Sequence, residues 1–194
     1  RYFDYIVKCL NDIIDESQKA ELNAMIEEHN NHKSDLGTAW KNDEFTLETF
    51  KAEIFALKNH MKLSIEKNLT DEQLSAFEAK IDELKQIKFD ESEENQKADL
   101  MKQEMYLALE MTDEQIEQLE KLQNEFKYSI EIINQEFLEG SIDDSALMDI
   151  VSELFITMHE SKQAVFTEKQ QTIILIHHIL TTRAHGKYSY WKKR

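Results

Sequence analysis

Leu69-Thr70-Asp71-Glu72-Gln73, Met111-Thr112-Asp113-Glu114-Gln115 and Phe166-Thr167-Glu168-Lys169-Gln170 are three copies of one phrase, apolar-Thr-x-x-Gln. Each spells out how a helix begins. Threonine at an N-cap accepts a hydrogen bond from the amide of the third helical residue, and glutamine at that third position reaches back to the cap amide. The apolar residue ahead of the cap packs on the fourth helical residue, which pairs Leu69 with Leu74 and Met111 with Ile116 as hydrophobic staples. The chain around these phrases has no proline and three glycines in 194 residues, so the punctuation that sheets need is missing. Leu, Glu, Lys, Gln, Ala and Met fill it instead, and these are helix formers. The expected fold class is all-α.

Working outward from the three caps, apolar periodicity gives a coarse helix map. A short lead helix from about Tyr2 carries Phe3, Ile6, Val7, Leu10 and Ile13, and a weaker phrase, Ile14-Asp15-Glu16-Ser17-Gln18, opens the next helix with aspartate as cap. That helix presents Leu22, Met25, Ile26 and Leu36 and fades near Lys41. Thr46 caps a third helix through Ile54, Leu57, Met61 and Ile65, with Phe45 and Phe50 placed as its staple. After Thr70 come Leu74, Phe77, Ile81 and Leu84; Asp90-Glu91-Ser92-Glu93 reads as a further capping box. Ile116 to Phe137 form a long amphipathic run ending at Glu139-Gly140-Ser141. Asp143 caps the helix of Ile150, Val151, Leu154 and Met158, and the last helix fades between Thr181 and Gly186.

The two halves of the chain align without gaps at an offset of 97 residues. Asp15/Gln18 falls on Thr112/Gln115, Thr70/Gln73 on Thr167/Gln170, and Thr46 on Asp143, while Phe45/Phe50 falls on Ile142/Leu147. The order of caps and staples therefore suggests a tandem repeat of four helices each. The division is a first repeat over 1–89, an acidic linker or helix start over 90–97, a second repeat over 98–186 and a basic aromatic tail over 187–194. Short connections make neighbouring helices antiparallel hairpins, and the narrow apolar stripes favour packing of one half on the other.

The phrases at Thr70/Gln73, Thr112/Gln115 and Thr167/Gln170 resemble the LTxxQ motif of the Spy and CpxP type of envelope-stress proteins. That resemblance implies helical hairpins, two motif copies per protomer and an antiparallel cradle-shaped dimer. It also implies ATP-independent binding of unfolded or aggregation-prone clients in the periplasm, with any signal peptide removed; the first residue here is Arg rather than Met. A family chain has one such unit, so a chain with two would form a single-chain pseudo-dimer, or a homodimer of such chains. Related members bind or sense metals, which gives the alternative function of a periplasmic metal-binding domain. The chain departs from the pattern at Asp15 in place of Thr, at Phe166 in place of Leu, and at Gln171, which replaces the aliphatic staple of the third copy.

Charge and chemistry narrow the function from the other side. The net charge is −16, and the five cations between Thr181 and Arg194 leave the remainder at −21. Nucleic acid is an unsuitable partner for such a surface. No apolar run approaches the roughly 20 residues that span a bilayer, since Ile173-Ile174-Leu175-Ile176 meets His177 and His178 at once. Cys9 is the only cysteine, which excludes an internal disulfide and thiolate zinc sites. Glycine-rich phosphate loops and nucleophile constellations are missing, so neither enzyme activity nor a cofactor is expected. His29 and His32, with Glu28 and Asp35 nearby, share donor types with zinc, nickel or copper sites, but exposed histidines of a polar helix are the simpler expectation. Met61 and Met158 fit the apolar stripe and read as core, and His178, four residues after Ile174, reads as a core histidine. The tail Tyr188-Ser189-Tyr190-Trp191-Lys192-Lys193-Arg194 mixes aromatic rings with positive charge, a composition able to stack on a membrane surface or nucleic acid, although such a tail more often folds back on an acidic body or stays mobile.

Overall fold

The computed structural model describes residues 2–88 and 91–184, with side chains described over 6–83 and 99–177. Eight helices occur among the described residues, and no strand. They are α1 (Tyr2–Asn11), α2 (Glu16–Lys41), α3 (Leu47–Lys67), α4 (Asp71–Lys88), α5 (Glu91–Ala108), α6 (Asp113–Leu138), α7 (Asp144–Val165) and α8 (Glu168–Ala184). The first residues of α2, α3 and α4 each recur 97 positions later, as Glu16 and Asp113, Leu47 and Asp144, Asp71 and Glu168. The segment 91–97 belongs to α5. The Asp90 cap, the Leu84 and His178 side chains and the tail 187–194 lie outside the described residues.

Long helices fold back as hairpins, α2 on α3 and α6 on α7, through five-residue turns that are chemically different but built alike. After α6 the amides of Ser141 and Gly140 bond the carbonyls of Glu136 and Phe137 at 2.8 and 3.0 Å, and Gly140 sits at φ 78°. After α2 the amides of Glu44 and Asp43 bond Ala39 and Trp40 at 3.0 and 3.1 Å, with Asp43 at φ 59°. Both are Schellman closures, in which a left-handed residue lets the chain cap the last carbonyls of the helix. A third follows α5, centred on Glu110 at φ 51°. Asp143 and Thr46 then cap α7 and α3, accepting from Ala146 N at 2.8 Å and Thr49 N at 3.1 Å.

Helix α3 is the hinge pin of the core, because it contributes to two clusters. Met61 and Ile65 pack with Leu10, Ile14 and Leu22 of the first half. Ala56 and Leu63 pack with Phe137, Leu147 and Val151 of the second. Ala52 and Ala56, spaced four apart, are fully buried; side chains this small leave room for α7, whose Leu147 and Val151 are fully buried as well. Polar pairs tie the same seam. Asn59 and Asn134 exchange side-chain amide bonds at 2.7 and 3.2 Å, and Ser152 Oγ donates to Glu53 at 2.7 Å. His60 Nε2 lies 2.6 Å from Asp144 Oδ1, and this bond holds the Asp144 carboxyl below its usual pKa. Phe55, Phe126 and Phe155, one each from α3, α6 and α7, meet with ring centroids 5.3 to 6.3 Å apart.

Candidate functional site

The motif residues assemble in pairs. At the start of α2, Gln18 Oε1 accepts from the Asp15 amide at 3.0 Å, while the Asp15 carboxylate accepts from the Ser17 and Gln18 amides. The Ser17 hydroxyl, 2.6 Å away, and those two amides hold Asp15 below the ordinary carboxylate range. At the start of α4, Thr70 and Gln73 form the same box at 3.0 and 3.2 Å. The two glutamines face each other. Gln18 Nε2 donates to Gln73 Oε1 at 2.9 Å and Gln73 Nε2 donates to Gln18 Oε1 at 2.8 Å. Their remaining hydrogens go to helix-end carbonyls, Gln18 to Asn68 O at 2.9 Å and Gln73 to Ile13 O at 3.4 Å.

The second half repeats the arrangement. Thr112/Gln115 and Thr167/Gln170 form their boxes, and Gln115 and Gln170 exchange bonds at 2.9 and 3.2 Å. Gln115 Nε2 also donates to Val165 O at 2.8 Å and Gln170 Nε2 to Leu109 O at 2.9 Å. A glutamine amide has two donors and an oxygen with two lone pairs. Each of the four uses all of them: cap amide and partner amide into the oxygen, partner oxygen and helix-end carbonyl from the nitrogen. One clasp thus joins the starts of two helices to the ends of two others, and it is deepest at Gln170, which is 5% exposed. Gln171, where the staple is missing, instead donates to Gln163 O and Phe166 O at 2.9 and 3.2 Å, closing the end of α7.

Sequence patterns alone did not show the pairing. They accounted for each glutamine oxygen but left both side-chain hydrogens unassigned, and that surplus was the available signal. The long-range pairs Asn59–Asn134, Glu53–Ser152 and His60–Asp144 carried no local signal at all.

The metal-type residues are spread out. His29 and His32 are half-buried on α2, and Glu28 and Asp35 are exposed on the same helix, beside an open depression formed by α2 alone. Burial, reinforced by the charges of Lys33, His32, His60 and Lys58, pushes His29 below its ordinary pKa. Among the described residues no three His, Cys, Asp or Glu converge as a ligand set. Met61 is in the first core cluster, Met158 is half-buried, and Cys9 is a buried free thiol.

The halves differ in what they leave bare. In the first, α1 packs against α4, and Leu10 is 1% exposed. In the second, every described side chain of α5 except Tyr106 is exposed, Leu100, Met101, Met105 and Leu107 among them, with Met101 70% and Leu107 78% exposed, and α8 adds Leu175 and Ile176. On α6, Tyr128 and Ile132 are exposed too. No helix among the described residues is long and apolar enough to cross a membrane. No family model, curated protein or solved structure matches the chain.

Proposed function

We propose that the chain is an ATP-independent holding chaperone of the Spy and CpxP kind, acting on unfolded client proteins in the periplasm. The observation that carries this reading is the apolar side of α5, with Leu100, Met101 and Leu107 standing in water. A helix of a soluble protein ordinarily turns its apolar stripe inward, so an outward one is an interaction surface. The residues that resemble LTxxQ motifs support the family, because they act as a matched set that orders hairpins. We read the recurrence of helix starts at 97 residues as a tandem duplication, with α3 and α7 as the seam of a single-chain pseudo-dimer that forms its own cradle.

In this reading Thr70, Gln73, Thr112, Gln115, Thr167 and Gln170 shape the scaffold and do not touch the client. The test is light scattering of a chemically denatured model protein diluted into buffer with the chain at stoichiometric concentration. Suppressed aggregation is the expected result, and Leu107→Ser reduces the suppression without lowering stability. Client aggregation that proceeds at the same rate with and without the chain sinks the proposal.

A further inference from the structure

The exposed face of α5 carries charge as well as apolar surface. Leu100, Met101, Met105, Leu107 and Ala108 fall within one half of the helix circumference, and Glu104 lies among them. The surroundings are acidic. Asp99 begins the stripe, Glu110 ends it, and Asp113, Glu114 and Glu117 follow at the exposed start of α6. Two nearby cations already face carboxylates: Lys102 lies 3.4 Å from Glu120 and 5.5 Å from the centre of the Tyr106 ring, and Lys169 lies 3.3 Å from Glu110. A third, Lys162, lies within electrostatic reach of Lys102 and donates to the Gln123 side chain, so the carboxylates of this end outnumber its cations without all being paired to them. The Gln115–Gln170 clasp anchors the C-terminal end of α5, since Gln170 donates to the carbonyl of Leu109 just past it.

We propose that this face takes up basic amphipathic segments of unfolded polypeptide, in which Leu or aromatic side chains alternate with Lys and Arg. The proposal rests on the client-holding reading and names its client class. Apolar side chains of such a segment lie on Leu100, Met101 and Leu107, while its cations reach Glu104 and the carboxylates at either end. Lys and Arg suit this doubly, because their aliphatic stems cover apolar surface while the charged heads stay in water. A second copy of the chain is a poor occupant, since two molecules of charge −16 repel.

The experiment is fluorescence anisotropy of a labelled helical peptide of Leu and Lys, beside its Leu and Glu analogue with the same apolar pattern, titrated with the full chain. Binding of the Lys peptide is expected to be at least about tenfold tighter, and to weaken severalfold from about 50 to about 300 mM salt as charges are screened. Met101→Ser with Leu107→Ser weakens it by about fivefold or more, and Glu104→Gln by about two- to threefold. All three positions are exposed, so the variants fold. Equal binding of both peptides overturns the charge preference while leaving client holding intact; loss of all aggregation suppression, for basic and acidic clients alike, removes the holding reading itself. Unchanged affinity in the Met101→Ser, Leu107→Ser variant places binding elsewhere and overturns the proposal. A rise in affinity on truncation after Ala184 identifies residues 185–194 as the occupant, and a dimer that Leu107→Ser converts to monomer identifies a second copy; either result overturns it.

Discussion

At the scale of single residues, the glutamine clasp replaces two independent capping boxes with one four-point junction. Removing either glutamine strands the partner amide and a helix-end carbonyl, which costs about 1–3 kcal/mol when the groups are shielded from water. Gln170→Ala is expected to be the most damaging of the four because Gln170 is the most buried. In a double-mutant cycle of Gln115→Ala and Gln170→Ala followed by urea unfolding, the pair should show a coupling of about 0.5–3 kcal/mol. Additive effects would contradict the junction. His29 gives a residue-scale prediction in pH. Its folded pKa lies below the ordinary 6.5, chiefly through burial. The unfolded chain therefore takes up a proton that the folded chain resists, so stability is full above about pH 6.5 and falls as the pH drops below it. Melting temperatures by circular dichroism should decline between about pH 7.5 and about pH 5.5, and less steeply in His29→Gln.

At the scale of elements, the three Schellman turns place three different residues in one left-handed conformation. Glycine adopts it freely, whereas a residue with a Cβ loses roughly 1–2 kcal/mol there. Glu110→Gly is therefore expected to stabilise the fold by about 0.5–1 kcal/mol, after the entropy that glycine adds to the unfolded chain, and Gly140→Ala to destabilise it by about 1 kcal/mol. Opposite shifts in the urea midpoint check both. Helix starts were the most legible feature of the sequence, because Thr112, Asp143 and Asp15 cap by bonds that span two or three residues. Turn positions were legible for the same reason at Gly140, and less so at Asp43 and Glu110, where no glycine marks the left-handed site. Which helix covers which was not written locally. Leu10 and Leu107 look equivalent in the chain, yet one is hidden and the other bare, a difference settled by how α1 and α5 pack against the rest.

At the scale of the molecule, α3 belongs to both core clusters, so the halves share their stability. Leu147→Ala opens a hole at a fully buried position of the seam and should lower stability by about 2–5 kcal/mol. The stack of Trp40 on Phe50, 4.6 Å between centroids, lies in the opposite half and offers an independent reporter. In a Trp191→Phe background, Trp40 emission and helical circular dichroism should fall in one coincident transition, shifted equally by Leu147→Ala. Separate transitions would show that the seam does not couple the halves. Because α3 and α7 lie on one polypeptide, their association is intramolecular and does not weaken on dilution, as that of two separate chains does. A homodimer must also display every surface twice, so any patch exposed for use is exposed on both sides of its axis. Two linked but non-identical halves escape that symmetry: α1 packs on α4 and buries Leu10, while α5 leaves Leu107 bare.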